Sequence, residues 1–219
     1  MYLLDSDAAR KLCQYQLIHE LASALRCTLN DLAVLPQLTF QLRLQNPAAA
    51  LKKLGSEMSV ALAHELVGAA NIVEVRVDQS NFFLDVERPD IDSGEAVLFA
   101  SLYQNPRDRM ISGDKRAYVA LSKLDQPSTE GIWARLICFE EAMMLIVQNG
   151  CFAHISAKVR ARGDVDIAMS LAFGRSQTAE QSTVLEALSS YTESLHRDTE
   201  GKWVHLTSKP SHATTTAAQ

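Results

Sequence analysis

Cysteine is scarce: the 219 residues hold four, Cys13, Cys27, Cys138 and Cys151, with no C-x-x-C pair and no companion histidines at zinc-ligand spacing. A disulfide framework and a structural zinc site are therefore excluded, and the four read as reduced, mostly buried thiols. With only 9 Gly and 6 Pro the chain is neither fibrous nor of low complexity. Long apolar runs are missing too. The stretch Ala142 to Val147 is far too short to span a bilayer, and Asp5 puts a carboxylate where a signal peptide would be apolar. The expectation is a cytoplasmic protein with no membrane partner. An excess of basic charge is also lacking: Lys and Arg number 21 against 26 Asp and Glu, net charge -5, which leaves room only for a local basic surface.

What is present is apolar content, 47% of residues, enough for a sizeable core. The length suggests one core with an appendage. Tyr2-Leu3-Leu4 is a short apolar run stopped by Asp5, and helical spacing then runs through Ala8, Leu12, Tyr15, His19, Ala22 and Leu25. Leu29 to Leu44 and Pro47 to Ala70 read as two further helices packed as an antiparallel pair. Ile72 to Val77 alternates as a strand does. Asp92 with Glu95 three residues on fits a capping box before the helical run Ala96, Leu98, Phe99, Leu102. Arg109 to Ser112 reads as a strand ending at Gly113-Asp114, Lys115 to Leu124 as a helix, Trp133 to Phe139 as a strand, and Glu140 to Gln148 as a helix. Strand and helix in alternation imply an α/β fold with a mostly parallel sheet covered on both faces. Residues 151–207 read as a helical C-terminal extension and residues 208–219 as a disordered tail.

Asp5 and Asp114 follow strands and Glu95 opens a helix, so three acids distant in sequence are placed to meet outside the carboxyl ends of the strands. Hard divalent cations such as Mg²⁺ or Mn²⁺ favour such carboxylates. Each acid also has an ordinary role open to it, Asp92 and Asp5 as helix caps and Glu95 as a capping-box partner. Zinc-protease chemistry is excluded because Ser23 and Gly68 stand where His19-Glu20 and His64-Glu65 need a second histidine. Phosphate-loop, dinucleotide and α/β-hydrolase signatures are absent from the sequence.

Taken in order, Tyr2-Leu3-Leu4-Asp5-Ser6-Asp7, Asp92-Ser93-Gly94-Glu95-Ala96 and Ile111-Ser112-Gly113-Asp114-Lys115-Arg116-Ala117 resemble the PIN-domain family over residues 1–150, with Phe139 to Gly150 similar to its final helix. The resemblance implies a Rossmann-like three-layer α/β/α sandwich whose acidic pocket takes Mg²⁺ or Mn²⁺ and hydrolyses RNA, in toxin, defence or processing roles. It implies Asp5, Glu95 and Asp114 as catalytic metal ligands, Asp92 in support and Asp7 as auxiliary. Homodimers and an antitoxin-like protein partner are implied by it as well. A Glu usual in the family is replaced by Gln41 at the expected position, with Glu57, Glu65 and Asp31 as other candidates. Arg107, Arg109, Lys115 and Arg116 are candidate phosphate contacts, and Lys158, Arg160 and Arg162 a second basic group. Two alternatives stand beside this reading. One is a PIN fold with reduced catalysis that binds RNA or protein. The other is a haloacid-dehalogenase-like phosphatase, which Asp5-Ser6-Asp7 also resembles, although no acid stands four or five residues beyond Asp114 as that family requires.

Overall fold

The computed structural model describes residues 1–76, 81–85, 90–124 and 127–205. β1 (Tyr2–Leu4) leads through α1 (Ser6–Gln14) and α2 (Ile18–Ala24) to β2 (Leu32–Val34). Next come α3 (Leu38–Gln41), α4 (Pro47–Leu54), α5 (Glu57–Ala69) and β3 (Asn71–Ile72). The second half contains α6 (Ser93–Gln104), β4 (Arg109–Ser112), α7 (Lys115–Ser122), β5 (Leu136–Cys138) and α8 (Phe139–Asn149). It closes with α9 (Phe152–Ala161), α10 (Ile167–Ala172) and α11 (Gln181–Asp198). Among the described residues the strands form one sheet, ordered β3-β2-β1-β4-β5, in which every pairing is parallel.

Strand side chains alternate between two buried faces, which is why the strands are apolar throughout. Tyr2, Leu4, Val34, Ile111 and Ile137 pack with Leu12, Leu21, Leu66 and Met143 on one face. Leu3, Ala33, Met110 and Leu136 meet Leu98, Phe99, Tyr118 and Leu121 on the other. The expected α/β class with a parallel sheet and helices on both faces is thus observed. No helix among the described residues is long and apolar enough to cross a membrane.

Three parts of the sequence reading are corrected. The helix read over Leu29 to Leu44 is a 3-10 turn, Leu29–Asp31, then β2 and the short α3. A short apolar run such as Leu32-Ala33-Val34-Leu35 has the same pattern in a buried strand and a buried helix, and Pro36 disfavours helix at Leu35. The helix read over Pro47 to Ala70 is two helices, because Gly55 adopts φ 87° and Ser56 caps α5 by accepting from the Ser59 N–H. No antiparallel pair of long helices forms. The strand expected over Ile72 to Val77 is confined to Asn71–Ile72, and its last residue lies outside the described residues.

Helices α9, α10 and α11 lie within the region expected as a helical extension, and they feed the same cores as the sheet. Ile155, Val159, Met169, Phe173, Val184 and Leu188 join the face of α1 and α2, while Leu195 and Trp203 join the other face. The tail expected at residues 208–219 lies outside the described residues. Cys13 and Cys138 are buried, Cys27 is half-buried and Cys151 is exposed, and all four are free thiols.

Candidate functional site

The chain leaves β1 for β2 and β3 on one side, then crosses to β4 and β5 on the other, so the strand order reverses between β1 and β4. Ligands of open parallel sheets bind outside the carboxyl ends of the strands at such a point. Asp5 follows β1 directly, and Gly113-Asp114 follow β4. The parallel ladder continues into the site, with the Asp5 N–H donating to the Ile111 carbonyl at 2.9 Å.

Asp5 occupies the cap position of α1 but makes no capping bond. Its Oδ2 accepts instead from the Ser112 hydroxyl at 3.1 Å and the Gly113 N–H at 3.4 Å. Ser112 Oγ in turn accepts from the Asp114 N–H at 3.0 Å, so one fully buried hydroxyl joins the ends of β1 and β4. Burial pushes the Asp5 carboxyl above the usual carboxylate range; the bonds from Ser112 and Gly113 oppose the rise and the nearby Asp7 charge adds to it.

Asp92 and Glu95 form the expected capping box of α6, with the Asp92 N–H donating to Glu95 Oε2 at 2.9 Å and the Glu95 N–H to Asp92 Oδ1 at 2.8 Å. Glu95 is more than a cap. Its carboxyl is pushed up to about 7 by burial, against the Asp92 N–H bond, with the charges of Asp92, Asp114 and Asp5 adding to the rise. Four acids from three separate segments therefore share one electrostatic environment at the switch point. The motif's glycine is explained by close approach: a Cβ on Gly94 would stand 3.1 Å from the Leu35 side chain and 3.2 Å from Asp92 Oδ1.

Asp114 caps α7, accepting from the Arg116 N–H at 2.8 Å, and takes a two-pronged bond from the Arg116 guanidinium at 3.1 and 2.7 Å. Arg116 holds its carboxyl below the usual range. Asp7 sits against Gly113, where any added Cβ would collide with its carboxylate, and pairs with Arg10 and, at 2.8 Å, with Lys11. Lys11 also reaches Asp166 at 2.7 Å and lies over the Phe139 ring, tying α1 to the C-terminal helices.

Several expected site residues are elsewhere. Arg109 opens β4 and Arg107 precedes it, so both lie at the amino edge of the sheet, the length of β4, about 10 Å, from the end that Asp114 follows. Lys115 pairs with Glu140 at 2.7 Å and covers the Tyr191 ring, so its charge is already engaged. Gln41 lines a separate cleft with Phe40, Arg43 and Lys53, and the amide beside the acids is Gln37, whose Nε2 would be 3.5 Å from a Cβ on Gly94. Asp31 is spent in a capping box with Thr28, Glu65 pairs with His19, and Glu57 begins α5. Lys158, Arg160 and Arg162 serve the fold. Lys158 binds Glu20 and the Gln16 carbonyl, Arg160 the Gly174 carbonyl, and Arg162 the Leu54 carbonyl at the end of α4.

The donor set of Asp5, Glu95, Asp114 and Asp92 is hard oxygen, and two of its members are raised by burial among like charges, so a divalent cation suits it in chemistry and charge. The acids do not yet surround one point. Among the described residues no three His, Cys, Asp or Glu side chains group as metal ligands. Glu95 is turned to the Asp92 N–H and Asp114 to Arg116, so a cation would have to compete with the capping box and the guanidinium.

Fold and site together define an α/β protein with an acid cluster at the switch point of an all-parallel sheet. No protein-family model, curated protein or solved structure matches the chain.

Proposed function

We propose that the protein is a PIN-like, Mg²⁺- or Mn²⁺-dependent ribonuclease acting in a toxin, defence or RNA-processing role. The observation that carries this reading is the linkage of Asp5 to Asp114 through Ser112, with Glu95 within electrostatic reach of both. Asp5, Glu95 and Asp114 would hold the ion, supported by Asp92. A bound ion supplies positive charge for a phosphodiester and acidifies water. The chain's own part is to bury and aim the carboxylates: Ser112 and Gly113 fix Asp5, and Gly94 lets the start of α6 approach β2 closely.

Arg116 favours a second reading. Its guanidinium already neutralises Asp114, as suits a PIN fold with reduced catalysis that binds RNA or an antitoxin-like partner. The phosphatase reading has less support, because Asp7 is committed to Arg10 and Lys11.

The test is incubation of labelled single-stranded RNA with the protein in Mn²⁺ or Mg²⁺, alongside Asp114→Asn and a chelator. Cleavage abolished by both controls supports the nuclease. Intact RNA with the parent protein rejects it in favour of the binding module.

A further inference from the structure

Phe40 is the most exposed large apolar side chain among the described residues, 76% accessible, and it is not isolated. It lies on α3 at the edge of a cleft of about 490 Å³ that it shares with Gln41, Arg43, Gln45, Asn46 and Lys53. No acid lines this cleft, and among the described residues neither Arg43 nor Lys53 pairs with a carboxylate. The contrast with the cleft beside Arg116 is direct, since Asp90 and Asp198 line that one together with Lys115 and Lys123. In a chain of net charge -5, two free cations around a bare aromatic ring form a local basic surface.

The chemistry that fits is an anion carrying flat rings. Cations take phosphates, an aromatic face stacks a base of any identity, and side-chain amides meet base edges. Asn46 Oδ1 is held by the Ala49 N–H at 3.1 Å, which leaves its NH₂ as the free donor. The cleft also has the right neighbour. Gln37, beside Gly94 and Asp92, is the residue before α3, and Phe40 lies about 4.5 Å further along that helix.

We infer that this cleft is a single-stranded RNA subsite in which Phe40 stacks a nucleobase and Arg43 and Lys53 hold the adjoining phosphates. The inference deepens the nuclease reading by giving it a substrate path, and it rests on that reading for the choice of RNA. Its test needs neither metal nor cleavage.

Binding of a fluorescent single-stranded oligoribonucleotide to the Asp5→Asn protein, in chelator, is followed by anisotropy over a salt series, with Phe40→Ala, Phe40→Trp and Lys53→Gln added to that background. Phe40→Ala is expected to weaken binding about 10-fold, Phe40→Trp to retain it, and Lys53→Gln to flatten the salt dependence by roughly one ion. Because Phe40 is exposed, its variants keep the parent's thermal midpoint. RNA binding unchanged by Phe40→Ala, no RNA binding by the Asp5→Asn protein, or a Phe40 effect only on self-association overturns the inference. Binding lost with Phe40→Ala while the wild-type chain leaves RNA intact in Mn²⁺ upholds the subsite and rejects the nuclease.

Discussion

The hydroxyl of Ser112 donates to Asp5 Oδ2 at 3.1 Å across the boundary where the strand order reverses. Ser112 has no exposed surface, and its oxygen also receives the Asp114 N–H. Ser112→Ala therefore leaves a buried carboxylate and a backbone donor each one partner short. Such a loss costs about 1–3 kcal/mol, or roughly 2–4 °C of midpoint per kcal/mol for a chain this size. Urea and thermal unfolding of the variant check it, and unchanged stability would mean the bond carries no load.

Glu95 sets a pH dependence. Its carboxyl is raised in the fold from 4.5 to about 7, so the folded state holds the proton more tightly than the unfolded chain. Its contribution to stability is accordingly full below about pH 4.5, falls as pH rises toward about 7, and is lost above that. Glu95→Gln removes this fall and keeps the capping bond, since an amide also serves at that position. The variant is expected to gain on the order of 1–2 kcal/mol at pH 8, after allowance for partial solvent screening, and almost nothing at pH 5. Denaturant midpoints at the two pH values decide it.

Arg116 is an exposed partner of Asp114, and exposed ion pairs add little stability. Arg116→Ala is expected to leave the thermal midpoint within about 2 °C while the Asp114 carboxyl rises toward its ordinary value. With the competing cation gone, Mn²⁺ affinity should increase. A large fall in midpoint, or weaker Mn²⁺ binding, would show that Arg116 supports the site rather than competes for it.

Lys11 is mostly buried between Asp7 and Asp166, and its charge holds Asp166 below the usual range despite burial. Asp166→Asn should cost about 1–3 kcal/mol at pH 7. A depressed acid stabilises above its unfolded pKa and loses that contribution as pH falls through the folded one, so the difference from the parent narrows at acid pH. Denaturation at pH 7 and pH 3.5 measures both.

The capping box at Asp92 and Glu95 and strand β4 were legible because each carries its own local signal: a capping acid three residues before its partner, and a short apolar run ended by Gly-Asp. Strand β2 was not, since three buried apolar residues look alike in helix and strand, and its misreading carried into the short helix that follows it. That is why Gln41 was expected beside the acids where Gln37 is found. Ser112 lay within a recognised motif, but only the register of β1 against β4 gives its hydroxyl a task. The Asp7 to Lys11 spacing is readable as an i,i+4 pair, whereas Asp166 joins it from a distance that local pattern does not reach.

Asp5, Glu95 and Asp114 are proposed to form one divalent-cation site. Calorimetric titration of Mn²⁺ at pH 8 into the parent, Asp5→Asn and Glu95→Gln proteins tests it most directly. One saturable site is expected in the parent, weakened at least 10-fold in each variant. Saturable binding unaffected by either substitution, or none in the parent, would contradict it.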